Sequence, residues 1–253
     1  VCGEIRDSRW RIITGGILLG FAALVRPIVL TMPVFLLLAF WLYRRRLKRA
    51  LLSWVIFLLP FLCVLVPWTI RNYMVFDAFV PVSTQGGLNM LHGMNARLLE
   101  DIDSMKRHTF HDLEEYQTYL QGLDEVTRNK EALKLVFNYY YETATTRPLY
   151  LVRLEWEKFI QFWDVFPTME FRYQLISLLS YGVLLPFFLY GCVIGVRGHP
   201  LSWFMVFSIL NPMLIALAFW GVIRYRFPAE PFIVILASYG LYRIGQGIGT
   251  TSN

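Results

Sequence analysis

Between Ile12 and Tyr43 the chain carries one charge, Arg26. A helix needs about 20 mostly apolar residues to cross the hydrocarbon core of a bilayer, and this run is too long for a single crossing. Arg26-Pro27 divides it. The residue before a proline is pushed out of the α region, and proline suits the first turn of a new helix. The run therefore predicts two helices, Ile12–Val25 and Pro27–Tyr43, meeting at Arg26. The first is short, so it is expected to tilt or to span only in part.

Four further apolar runs follow the same rule. Leu51–Ile70 holds Pro60 and Pro67, Tyr173–Val196 and Leu201–Ile223 are long enough to cross, and Ala229 to about Ile244 is a weaker sixth. Charged residues make up 17% of the chain, against about a quarter in a soluble domain, which favours a lipid setting. The expected fold class is all-α: a polytopic transmembrane helical bundle with about six membrane helices and an outer-face loop domain bearing amphipathic interface helices. Residues 1–73 would hold three membrane helices, 74–172 the loop region, 173–244 three more helices, and 245–253 a disordered tail. The chain starts at Val1 without the pattern of a signal peptide, and is expected to continue an upstream part of a longer protein.

The net charge of +6 would suggest nucleic acid in a soluble protein. Here the basic residues flank apolar runs, as the positive-inside rule requires, so membrane lipid is the expected partner and nucleic acid is not. Arg44-Arg45-Arg46-Leu47-Lys48-Arg49 fixes the cytoplasmic side. Counting spans from there puts Arg9, Arg11, Arg197 and Arg243 inside, and Arg26, Trp68–Arg172 and Arg224–Pro228 outside. Within the outside region, Ala132, Leu133, Val136, Phe137 and Tyr140 recur at helical spacing. Pro148–Trp163 mixes apolar and charged residues in the manner of a helix lying in the membrane interface, although the two segments would also make an ordinary small core by packing on each other.

This topology collects arginines on the outer side, against the insertion bias, and such charges pair or mark a substrate path. The arginine fork matches phosphate oxygens. Arg26, Arg71, Arg224 and Arg226 are the candidate donor-phosphate ligands; each has a plain alternative as an interface anchor. Arg224 and Arg226 are two apart, so one of them would face a pocket and the other the headgroups. Pro81–Asn89 reads as a turn-rich loop, in which Gly86 and Gly87 would let the backbone approach an anion or form a surface turn. Asn72, Asn89, Gly93, Asn95 and Tyr225 join them as candidate substrate-binding residues. His108, His111 and Asp103 sketch a divalent-metal set without fixed further ligands, so no metal or other cofactor is assigned. Asp77, Glu100, Asp101 and Asp103 are carboxylates on the outer side, none singled out by a neighbour. Cys2, Cys63 and Cys192 make neither a disulfide framework nor a metal spacing.

The ordered set Gly15-Gly16 … Gly20 … Leu24-Val25-Arg26-Pro27, Pro67-Trp68-Thr69-Ile70-Arg71-Asn72-Tyr73, Phe79-Val80-Pro81-Val82-Ser83-Thr84 … Gly86-Gly87-Leu88-Asn89 … Gly93-Met94-Asn95, Phe162-Trp163 and Arg224-Tyr225-Arg226-Phe227-Pro228 … Pro231 resembles the C-terminal half of the dolichyl-phosphate-mannose–protein mannosyltransferase-like group of the GT-C superfamily. The resemblance runs from about Gly15 to Tyr242. It implies an integral membrane glycosyltransferase of a bacterial or archaeal cytoplasmic membrane, active on the outer face. The donor would be a sugar on a polyprenyl phosphate, and transfer to an acceptor hydroxyl would invert the anomeric carbon. The family's base is a carboxylate after its first membrane helix, so it is expected upstream of Val1, and this stretch alone is expected to be inactive. The family pairs two asparagines after the glycine at 93; here Met94 takes the first place. A lipid-linked sugar flippase and a non-catalytic assembly subunit are the competing classes. A flippase would show charges at midplane depth and paired broken helices, whereas here the charges sit at the outer ends of spans.

Overall fold

A computed structural model of the chain describes residues 2–94, 119–163, 171–221 and 223–249. Among these the fold is all-helical, with no strand. In chain order the elements are α1 (Cys2–Val25), a 3₁₀ turn (Pro27–Thr31), α2 (Met32–Arg44), α3 (Leu47–Phe76), α4 (Gly86–Gly93), α5 (Glu125–Thr146), α6 (Pro148–Trp163), α7 (Phe171–Ser177), a π turn (Leu178–Gly182), α8 (Val183–Gly198), α9 (Ser202–Ala218), two 3₁₀ turns (Ile223–Tyr225 and Phe227–Ala229) and α10 (Glu230–Gly249).

Three stretches are helical, long and apolar enough to cross a membrane: Pro27–Arg44, Leu47–Phe76 and Leu175–Gly198. The apolar α9 is shorter; its 17 residues rise only about 25 Å, under the roughly 30 Å of a hydrocarbon core. The break expected at Arg26 is present, where the backbone turns extended (φ −136°, ψ 106°) between α1 and the 3₁₀ turn. Three sequence expectations need correction. Helix α3 does not stop near Ile70 but runs to Phe76, through Pro60 and Pro67, so Arg71 and Asn72 lie within it. Gly86–Asn89 is not a loop: it is the start of α4. The tail is helical as far as Gly249.

The described fold divides into two compact units, Val1–Pro67 with Trp163–Met213 and Ile223–Asn253, and Trp68–Phe162 with Leu214–Val222. In the first, helices meet backbone to backbone. A Cβ on Gly191 of α8 would collide with the Leu236 carbonyl of α10, and one on Gly240 with the Phe187 carbonyl. Gly16 of α1 approaches the Phe57 carbonyl of α3 in the same way. Gly191–Gly195 and Gly16–Gly20 both have the four-residue glycine spacing by which apolar helices pack where lipid offers no hydrophobic drive. Polar side chains tie the joints: Thr31 Oγ1 donates to Asn211 Oδ1 at 2.6 Å, and Trp54 Nε1 to the Pro33 carbonyl at 2.7 Å.

The second unit has a side-chain core beside its own backbone contacts at Gly87 and Gly93. Leu91, Met94, Leu120, Ala132 and Val136 form its core between α4 and α5. Phe137, expected on that face, is exposed instead. Asp124 caps α5, its carboxylate accepting from Val126 N and Thr127 N. Hydrogen bonds from Thr127, its side chain first and then its backbone N–H, and from Val126 N hold the Asp124 pKa below the usual carboxylate value, against desolvation.

Candidate functional site

In the second unit the last turns of α3 grip the returning chain. Trp68 Nε1 donates to the Val82 carbonyl at 3.2 Å, Thr69 Oγ1 to the Pro81 carbonyl at 3.0 Å, and buried Asn72 Nδ2 to the Val80 carbonyl at 3.1 Å. Two of the sequence motifs, residues 67–73 and 79–84, are thus the halves of one latch. Asp77 makes the turn between them, at φ 48°, a left-handed conformation that aspartate tolerates better than most residues. Its carboxylate is exposed there, at the end of a helix. Within the latch Asn72 turns its amide inward, and Arg71 is exposed, with Nη1 donating to Asn72 Oδ1 at 3.1 Å and the guanidinium 5.2 Å from the Trp68 ring centre.

Gly86, Gly87, Asn89 and Gly93 share the short helix α4. Gly86 and Gly87 open this helix instead of forming the expected turn, and none of the described glycines has a positive φ. Packing accounts for two of these glycines. A Cβ on Gly87 would strike the Asn129 carbonyl and one on Gly93 the Phe219 carbonyl; Gly87 N also donates to Asn129 Oδ1 at 2.6 Å. Asn95, Glu100, Asp101, Asp103, His108 and His111 lie outside the described residues. No group of three metal-ligating side chains occurs among the described ones.

In the first unit Arg26 is exposed at the break between α1 and the 3₁₀ turn. Arg224 and Arg226 differ, as their spacing requires. Arg224 is exposed, 5.5 Å from the ring centre of its neighbour Tyr225, which is half-buried. Arg226 is buried and heavily engaged. Its Nε donates to Glu230 Oε1 at 2.6 Å, its Nη1 to the Trp163 carbonyl, and its guanidinium lies 3.8 Å from the centre of the Tyr181 ring. Tyr181 rides on the π turn, a helix distortion common at functional sites.

One buried charge escaped the sequence reading. Lys158 of α6 is 0% exposed. Its ammonium donates to Tyr140 Oη at 2.9 Å, Glu155 Oε1 at 3.0 Å and the Leu217 carbonyl at 2.9 Å. Those bonds satisfy all three protons, and the last one neutralises a carbonyl in the final turn of α9. Tyr140 Oη in turn donates to Glu155 Oε1 at 2.8 Å. Desolvation pushes the Lys158 pKa down, with Glu155 opposing; desolvation and then Glu155 push that of Tyr140 up. The i,i+3 pair Glu155–Lys158 is visible in the sequence, but looks like an ordinary surface pair.

No family model, curated protein or solved structure matches the chain. The class that the fold itself defines is an all-helical protein with three helices long and apolar enough to span a bilayer, which is consistent with a membrane protein.

Proposed function

We propose that this protein is an integral membrane glycosyltransferase that moves a sugar from a polyprenyl-phosphate donor to an acceptor hydroxyl on the outer face of a cytoplasmic membrane. About six membrane helices and an outer-face domain bearing α5 and α6 belong to this reading, with the basic stretch Arg44–Arg49 inside. The acceptor oxygen attacks the anomeric carbon from the side opposite the phosphate and gives its proton to a carboxylate base. The bond from that carbon to the phosphate oxygen breaks, and the lipid phosphate departs with the electron pair.

The observation that carries the proposal is where the exposed guanidinium groups fall. Arg26 immediately precedes the Pro27–Arg44 helix, and Arg71 directly follows the apolar run Leu51–Ile70 within α3. A cation at the end of an apolar run suits a lipid phosphate, which the planar fork fits. Arg224 is the third exposed candidate, while Arg226 holds the turn that presents it. Fixed cations of this kind stabilise a departing phosphate. The test is transfer from a radiolabelled polyprenyl-phosphate sugar in membranes containing the full-length protein. Product of inverted configuration supports the proposal. No transfer from any such donor, alongside transport of the intact donor across proteoliposomes, would make the protein a flippase.

A further inference from the structure

Helix α6 carries apolar side chains on its exposed side as well as its buried one. Its buried face is Leu154, Lys158 and Phe162, so the one side chain there with a full charge points inward. Its opposite face is apolar. Leu149, Val152, Trp156 and Ile160, each between 46% and 82% exposed, recur at the three- and four-residue spacing that makes a single line along a helix. A surface helix in water normally presents a charged or polar outer face instead. Contiguous exposed apolar surface of this kind marks an interaction site.

We propose that the Leu149–Val152–Trp156–Ile160 stripe lies in the headgroup–acyl boundary of an anionic phospholipid bilayer, so that α6 is a monotopic membrane contact. Lipid is favoured by four observations. A bilayer is at hand, because the chain holds three helices long and apolar enough to cross one. The stripe has the right dimensions: Leu149 to Ile160 rises roughly 16 Å and is one side chain wide, enough for an interfacial helix that buries only its lower face. Trp156, stacked on Phe159 with ring centres 5.5 Å apart, is the residue type that settles at the headgroup level. Arg147, just before α6, and Arg153, beside the stripe, are both exposed; their long stems reach back to lipid phosphates while the chain beneath them stays in the apolar layer. This contact does not depend on the glycosyltransferase reading.

The test places nitroxide labels, one at a time, at Val152→Cys, Trp156→Cys and Ile160→Cys in the full protein in lipid nanodiscs, after Cys2, Cys63 and Cys192 are replaced by serine. Lys134→Cys, on the exposed polar side of α5, is the aqueous control. The expected result is strong relaxation by oxygen and loss of relaxation by a water-soluble nickel chelate at the three stripe positions, with the opposite at position 134. Nickel access equal to the control would overturn the proposal, since the stripe would then face water. Protection from both reagents would also overturn it, since a protein surface would cover the stripe. Discs of phosphatidylcholine alone and with added phosphatidylglycerol test the anionic part. Labels should sit deeper with phosphatidylglycerol, and the gain should vanish in Arg147→Glu/Arg153→Glu; equal depth in both discs would remove the anionic headgroup from the proposal.

Discussion

The two units solve the burial problem differently. In the first, helices come together at glycines, Gly191 against Leu236 and Gly16 against Phe57, with backbone on backbone. The second also has such contacts, Gly87 of α4 against the Asn129 carbonyl of α5 and Gly93 against that of Phe219, but adds a whole ammonium group sealed in with its three acceptors. Close backbone contact needs no hydrophobic drive and suits helices surrounded by lipid. A sealed lysine is costly unless every proton is satisfied, so it makes that packing all-or-none. Both units should therefore be sensitive to added volume at their glycines, and the second also to loss of the Lys158 partners.

That contrast is open to direct attack. Gly191→Leu should do most damage, because its side chain would have to occupy the place of the Leu236 carbonyl. The loss should exceed the about 1–3 kcal/mol usual for overpacking and appear as a collapse of folded protein in size-exclusion profiles. Survival of Gly191→Leu at wild-type yield would break the backbone-contact account. Lys158→Ala comes next, at about 2–3 kcal/mol, read from thermal unfolding in detergent; Lys158→Met should cost less because it keeps the packed stem. The pH dependence has a definite sign. With the folded pKa of Lys158 below 10.5, the unfolded chain binds more protons in the interval between the two values, so stability rises with pH across it. Tyr140, raised above 10.0, works the other way once its unfolded phenol ionises. Wild type should thus gain on Lys158→Met as pH climbs toward 10, and a flat difference would remove Lys158 from the titration. Asn72→Ala, which strands the Val80 carbonyl, should cost about 1–2 kcal/mol and loosen the latch, seen as faster amide exchange across residues 80–82.

Local signals were legible where one element is decided by its own residues. The Arg26-Pro27 break follows from proline sterics, and α6 begins at Pro148 and ends at Trp163 where its composition says it should. What could not be read was set by distant contact. Gly86-Gly87 has the look of a turn, yet those residues start a helix because α5 comes within contact of Gly87. Helix α3 holds Pro60 and Pro67 as expected, but runs on to Phe76 instead of stopping near Ile70. The four-residue glycine spacings were present in the sequence, and only their partners Phe57 and Leu236 reveal them as helix contacts. That Arg226 is buried against Glu230 and Tyr181 while Arg224 stays exposed needed the fold.

That difference between Arg224 and Arg226 gives the most direct test of the proposed transferase. Arg224→Ala and Arg226→Ala are made in the full-length protein, and donor turnover is measured per folded molecule. Arg224→Ala should leave the amount of folded protein unchanged and lower turnover roughly tenfold or more, the loss of one charged hydrogen bond worth about 1.5–3 kcal/mol in the transition state. Arg224→Lys, with the charge but without the fork, should recover part of it. Arg226→Ala should instead reduce folded protein, because it strands Glu230 and the Trp163 carbonyl. Wild-type turnover from folded Arg224→Ala, together with wild-type turnover from Arg26→Ala and Arg71→Ala, would contradict the assignment of these arginines to a lipid phosphate.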